Sequence, residues 1–224
     1  MSSSDPLPAI LCLHGAGTNA AIFQLQAHMI VERLKGRFRF IFLDAPFESS
    51  PGPGVLSTYG DLKPYLWWHC DATATKQFDI DMEEVQRRRQ KVRDLLVFHL
   101  EKDNIVGVMS FSQGTRVATG LCLDDELGGQ IKFAILISAT FPELPVGENC
   151  QHRCLRIPSV HVQGLSDPWA AEGTRLRVTY YDSDQATVVQ FAGGHTVPMA
   201  RRDVDRVIKA ISQAWDNACS QSDS

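Results

Sequence analysis

Three residues far apart in the chain have the types and order needed to make an activated nucleophile. Ser112 stands in Ser110-Phe-Ser-Gln-Gly114, between an apolar run and a helical stretch, Thr115-Arg-Val-Ala-Thr-Gly-Leu121. Asp167 closes Val160-His-Val-Gln-Gly-Leu-Ser-Asp167, and His195 closes Phe191-Ala-Gly-Gly-His195. Each lies just past a run that reads as a strand. In a parallel sheet the carboxyl ends of strands share one edge, so hydroxyl, carboxylate and imidazole converge there. The chemistry is acyl transfer: His195 takes the Ser112 proton, and Asp167 fixes the imidazole and stabilises its charged form. The sharp turn at Ser112 lifts its oxygen clear of the sheet. The helix that starts there aims free N–H groups at developing charge. A glycine usually stands two residues before such a serine. Here it is Ser110, which still meets the demand for a small side chain. Alone, an Asp-Pro after a strand reads as a turn, and a Gly-Gly-His as a loop with a solvated histidine. Their joint order and placement carry the assignment.

Stabilising the oxyanion needs two backbone donors. Gln113 N–H follows the nucleophile and supplies one. The glycine-rich loop His14-Gly-Ala-Gly-Thr-Asn19 can supply the other, with Ala16 N–H first and Gly17 N–H second. His14 reads as a brace for that loop rather than a second base, and Asn19 as the cap of the next helix. Tyr59, Tyr65, Trp67, Trp68, Phe111 and Trp169 offer an apolar wall for an acyl chain. Trp67-Trp68 could equally pack the core.

The elements that must position these groups follow from periodicity. Apolar runs at Ala9–His14, Phe38–Leu43, Ile105–Met109, Phe133–Ile137, Val160–Val162 and Val188–Phe191 fit strands buried on both faces. Ala20–Leu34, Met82–Leu100 and Val204–Trp215 carry apolar residues at helical spacing. The alternation predicts an α/β architecture, a mostly parallel central sheet with helices on both faces. One segment breaks it: Phe47–Phe78, with Pro51-Gly-Pro-Gly54 and Tyr65-Leu-Trp-Trp68, has no clear period. It reads as an irregular, lid-like insertion, about 47–80, over the carboxyl edge where such sheets place ligands. The chain of 224 residues is read as one domain, with a Ser-rich tail frayed from 218 to 224.

Composition excludes several classes. Hydrophobic residues are 44% and charged residues 21%, ordinary globular usage. A net charge of −4 gives no reason to expect nucleic acid or anionic lipid as a partner. No apolar run reaches membrane-spanning length, and no secretory signal is visible. The expectation is a soluble, cytoplasmic protein whose six cysteines are reduced thiols. Cys12 and Cys122 sit in apolar runs as small hydrophobes. Cys150-x-x-x-Cys154 around His152 lacks the second ligand pair of a structural zinc site, so no metal is expected. Arg87-Arg-Arg-Gln-Lys-Val-Arg93 reads mainly as a solvated helix face paired with Glu83 and Glu84. As a minor alternative it is a docking face for an acidic carrier protein.

Six ordered motifs add a resemblance. Leu11-Cys-Leu-His-Gly15, Asp44-Ala-Pro46, Trp67-Trp68, Phe111-Ser-Gln-Gly114, His161-Val-Gln-Gly-x-x-Asp167 and Gly194-His-Thr-Val-Pro198 resemble the family of small serine hydrolases called FSH. That family includes ovarian-tumour-suppressor-like hydrolases and trans-acting hydrolases of fungal polyketide pathways. The resemblance covers roughly residues 9 to 215. It implies an α/β-hydrolase fold, no cofactor, and cleavage of esters or thioesters, with Ser112 as nucleophile, Asp167 as acid and His195 as base. The polyketide branch implies an acyl thioester held by an acyl carrier protein of a polyketide synthase, released as acid or lactone. The competing readings are a general carboxylesterase on small esters and a non-catalytic binding protein on a hydrolase scaffold.

Overall fold

A computed structural model describes residues 6–60, 62–68, 82–147 and 154–222. In chain order it contains β1 (Ala9–Leu13), α1 (Ala20–Gln26), α2 (His28–Leu34), β2 (Arg39–Leu43), β3 (Phe47–Glu48), α3 (Val55–Tyr59), β4 (Tyr65–Leu66), α4 (Met82–Lys102), β5 (Ile105–Phe111), α5 (Gln113–Leu123), β6 (Phe133–Ile137), β7 (Ser159–Gly164), α6 (Ala170–Tyr180), β8 (Ala186–Phe191) and α7 (Arg201–Ser222). The six apolar runs are the six strands of one sheet, ordered β2-β1-β5-β6-β7-β8, and every pairing is parallel.

The two-residue alternation of each strand divides the core into two layers. Ala9, Leu11 and Leu13 of β1 pack with Val92 and Leu96 of α4, Val117 and Leu121 of α5, and Leu176 of α6. Ile10 and Cys12 face the other way, toward Phe23, Ile30 and Leu34 of α1 and α2 and Val204, Val207 and Ile211 of α7. Helices therefore cover both faces, which is why the strands read as near-continuous apolar runs.

The strand order reverses between β1 and β5. At such a switch point the loops leaving two adjacent strands diverge and open a crevice. Leu13 of β1 is paired with Ser110 of β5. The loop 14–19 and Ser112 thus emerge side by side.

Three features depart from the sequence reading. The helix expected over 20–34 is two helices, α1 and α2, meeting at Ala27 with φ −91° and ψ 2°. The ring of His28 hydrogen-bonds the Leu25 carbonyl at 2.8 Å, competing for an acceptor of the helix ladder. The apolar stripe continues across the break, so periodicity alone does not reveal it. The tail is helical where its Ser-rich composition reads as frayed: α7 runs through Ser222, with Ala218 buried. Trp215, against Phe38 and Phe133 at 5.4 and 5.6 Å, anchors that last stretch. The segment 47–68, the described part of the insertion, is not wholly irregular. It holds α3 and an antiparallel pair, β3 with β4. Residues 69–80 of the expected insertion lie outside the described residues, as do Cys70, Cys150 and His152.

Candidate active site

Ser112 joins β5 to α5 with φ 50° and ψ −121°. A serine in this region is strained by about 1–3 kcal/mol. The surroundings hold it there. Ser112 N–H donates to the Ile137 carbonyl at 3.1 Å, and the Ser112 carbonyl accepts from Thr115 N–H at 2.9 Å and Thr115 Oγ1 at 2.6 Å. Gly114 lets α5 press against the end of β1, since a Cβ there would lie 2.3 Å from the Leu13 carbonyl oxygen. Ser110 is fully buried, and its hydroxyl donates to the Ile135 carbonyl at 3.3 Å. The hydroxyl that replaces the usual glycine hydrogen is therefore satisfied.

The three separated residues meet. Ser112 Oγ lies 2.8 Å from His195 Nε2, and His195 Nδ1 lies 3.0 Å from both Asp167 carboxylate oxygens. The Asp167 carboxylate is completely buried, while the His195 ring is a quarter exposed. Two further donors occupy the carboxylate: Trp169 N–H at 2.8 Å and Gln163 Nε2 at 3.0 Å. A buried carboxylate with three donors is fixed in direction. It selects the tautomer with Nδ1–H, leaving Nε2 free to accept the Ser112 proton. The Phe111 ring, 5.2 Å from the imidazole, supports it from below and stacks on Phe23.

The loop 14–19 passes beside Ser112. A Cβ at Gly15 would lie 2.9 Å from the Phe111 ring and 3.1 Å from the Ser112 Cβ, so only glycine allows this approach. His14 is buried, with Nε2 accepting from Ala45 N–H at 3.0 Å and Nδ1–H donating to the Gly15 carbonyl at 2.7 Å. Burial lowers its pKa to about 4, so it stays neutral and braces the loop. Asn19 Oδ1 caps α1 through Ile22 N–H at 2.8 Å. Of the two loop donors expected at the oxyanion, Gly17 N–H is already given to the Tyr65 carbonyl at 2.9 Å, which corrects that expectation. Among the described residues no acceptor takes the N–H of Ala16 or Gln113, and both residues line the cavity over Ser112.

That cavity has a volume of about 1210 Å³. Phe111, Tyr59 and Trp169 line it, as the sequence reading has them, and Trp169 is 48% exposed. Tyr65, Trp67 and Trp68 do not line it, a correction to the expected acyl wall. Trp67 is fully buried in the core, and Tyr65 and Trp68 pack against the same layer. Aromatic composition marked the segment as apolar but could not say which way each ring turns. The walls that the sequence reading missed come from Val55, Thr140, Phe141, Val197 and Met199. The last two follow His195 closely, the one signal that could have found them. Gln163, four residues before Asp167 and bonded to its carboxylate, is a site residue that the sequence reading missed, its only signal being its place in the same motif.

Three arginines of the basic run on α4 are paired within the protein. Arg87 and Arg88 pair with Glu84 at 3.0 and 2.7 Å, and Arg93 with Asp124 at 2.7 Å and with Glu126. Among the described residues no cluster of three His, Cys, Asp or Glu could hold a metal ion, and no helix is long and apolar enough to cross a membrane.

This arrangement can generate a serine alkoxide equivalent beside two free N–H donors, under a large apolar cavity. The chain is similar to several known proteins. Residues 1–207 match the family model described as serine hydrolase (FSH1). A thioesterase, FSL2 of Gibberella zeae, is 51% identical over 95% of this chain and 94% of its own. A probable esterase of Aspergillus terreus is 34% identical over 93% of this chain and 90% of its own. Among solved structures, a Bacillus cereus carboxylesterase superposes with a TM-score of 0.60 at 18% identity, covering 93% of this chain and 89% of its own.

Proposed function

Because the chain belongs to the FSH1 serine hydrolase family, and is thereby a hydrolase of the thioesterase/esterase type with an α/β-hydrolase fold, we propose that it cleaves an acyl thioester through an acyl-Ser112 intermediate. The proposed donor is a polyketide or similar acyl chain on an acyl carrier protein, the setting secondary metabolism in the cytoplasm, and the product an acid or lactone. The observation that carries the chemistry is the 2.8 Å contact between Ser112 Oγ and His195 Nε2 beneath the apolar cavity.

The steps balance with the groups present. Ser112 Oγ attacks the thioester carbonyl carbon and passes its proton to His195 Nε2. The carbonyl oxygen takes the charge and receives hydrogen bonds from Ala16 N–H and Gln113 N–H. Each such donor contributes roughly 10²–10³ in rate. Collapse breaks the C–S bond, and the departing sulfur takes the proton from His195. Water, or a hydroxyl of the acyl chain itself, then attacks the ester. Its proton goes to His195, and Ser112 Oγ leaves with it. The Asp167 carboxylate keeps its hydrogen bond to Nδ1 and stabilises the imidazolium.

The cavity supports a bulky acyl group, since about 1210 Å³ exceeds the usual range for a small-ligand site. The relative named a thioesterase supports a sulfur leaving group. The test compares kcat/KM on medium- and long-chain acyl N-acetylcysteamine thioesters with that on short nitrophenyl esters. The proposal predicts that the longer thioesters are favoured at least tenfold. A preference for acetate and butyrate esters instead assigns a general carboxylesterase.

A further inference from the structure

Gln113 carries two roles on one residue. The residue lines the cavity and its backbone N–H has no acceptor among the described residues, while its side chain is bonded to the segment 47–68. Gln113 Oε1 accepts from Trp67 N–H at 2.8 Å and Trp68 N–H at 3.3 Å, and Gln113 Nε2 donates to the Trp68 carbonyl at 2.9 Å. The carboxamide thus takes both the N–H and the carbonyl of Trp68, and the N–H of Trp67 beside it. Trp67 in turn donates its indole N–H to the His14 carbonyl at 2.8 Å, and its ring centroid lies 5.3 Å from that of His14. His14 is the residue from which the loop carrying Ala16 springs.

The same segment grips that loop four more times. Gly17 N–H donates to the Tyr65 carbonyl at 2.9 Å, Tyr65 N–H to the Thr18 carbonyl at 2.6 Å, and Asn19 Nδ2 to the Lys63 carbonyl at 2.9 Å. On the other side of the loop, Gly52 N–H donates to the Gly17 carbonyl at 2.9 Å. A Cβ at Gly17, where φ is +67°, would lie 2.3 Å from Gly52 N. The loop is therefore held between two parts of one strap. Neither Ala16 nor Gln113 is tied directly to the other. Trp67 is bonded to both sides, by its backbone N–H to Gln113 Oε1 and by its indole N–H to the His14 carbonyl, and so adds to the direct packing of Gly15 and Gly114.

We infer that Trp67 and the Gln113 side chain are positioning residues that fix the spacing of the Ala16 and Gln113 N–H donors for the reaction at Ser112. An oxyanion hole works only if its donors stand at the transition-state oxygen before reaction, because reorganisation during the step would cost what the hydrogen bonds contribute. A displacement near 1 Å is enough to lower rate by roughly 10²-fold. The inference rests on the Ser112 reading above, and Ser112→Ala tests that reading separately.

The experiment uses Trp67→Phe, which keeps an aromatic ring and removes the indole N–H, and Gln113→Leu, which keeps the backbone donor and removes the clamp. Active sites are titrated with a fluorophosphonate, and 4-nitrophenyl butyrate turnover is expressed per titrated site. Inhibition by an alkyl trifluoromethyl ketone, whose serine adduct places an oxyanion in the hole, is measured alongside. The expected result is a fall in kcat per site of roughly 10- to 100-fold in each variant, with KM changed less than threefold and trifluoromethyl ketone inhibition weakened in proportion to kcat/KM. Gln113→Glu, which retains the acceptor for the Trp67 N–H, should recover part of the inhibitor affinity lost in Gln113→Leu. Unchanged kcat and inhibitor affinity per titrated site in both variants, including the case where only the fraction of active sites falls, would overturn the inference.

Discussion

At the scale of single residues, the site is a set of side chains whose partners leave each one a single task. Asp167 has no exposure and three donors, so it acts only as a fixed acceptor for His195. Replacing it with Asn offers the imidazole an N–H where it needs an acceptor and favours the wrong tautomer. Asp167→Asn should lower kcat/KM by roughly 10⁴-fold with little change in far-ultraviolet circular dichroism. Steady-state kinetics on a nitrophenyl ester checks this, and a loss below tenfold would remove Asp167 from the proton path. The triad was legible in the sequence because a parallel sheet converts position past a strand end into proximity. The cavity wall was not. Trp67 and Trp169 are the same residue type, yet one is buried behind the loop 14–19 and the other is half exposed near the histidine. Only the direction of each side chain separates them, and one sequence does not carry that.

At the scale of elements, close backbone approach does the positioning. The turn after β7 carries Asp167, and the loop after β8 carries His195. They are stitched together by Leu165 N–H to the Phe191 carbonyl at 2.9 Å and Ser166 N–H to the Gly193 carbonyl at 2.8 Å. Gly164 makes this possible, since a Cβ there would lie 2.2 Å from the Gly194 carbonyl oxygen. Gly164→Ala must push the histidine loop away from the aspartate turn. The expected outcome is a loss of kcat/KM of roughly 10²-fold, larger than the loss of folded protein at 25 °C. Kinetics per folded molecule, with folding followed by circular dichroism, measures it. Full activity per folded molecule would show that the loops tolerate separation. The inner strands β1, β5 and β6 were legible because burial on both faces leaves continuous apolar runs, and the edge strands β2 and β8, more exposed, still kept an apolar run. The break between α1 and α2 was not, because the chain turns at Ala27 while the apolar stripe runs on across it. The strap was legible only as irregularity. Its bonds to the loop 14–19 and to Gln113 are made across some 45 residues and leave no local period.

At the scale of the whole molecule, two buried histidines make stability depend on acid. Burial lowers His14 to about 4 from 6.5. Burial, then the nearby Arg177 charge, lowers His161 to about 3 from 6.5. The unfolded chain therefore binds protons from pH 6.5 downward while the folded chain does not. Stability is full above that value and is lost as pH falls, until about pH 4 for His14 and about pH 3 for His161. Each group contributes a slope of at most about 1.4 kcal/mol per pH unit within its window. Urea unfolding between pH 7 and pH 4.5 should show the midpoint falling, and His161→Leu should show a shallower fall. Equal slopes in the two proteins would mean that His161 is not held neutral.

The central claim is that Ser112 is made nucleophilic by His195 beneath the cavity. Its most direct measurement is fluorophosphonate labelling followed by peptide mass mapping, with turnover assayed in parallel. The account predicts one label per chain, on the peptide containing Ser112, and turnover lost in step with labelling. A label on another residue, or full turnover in the labelled protein, would contradict it.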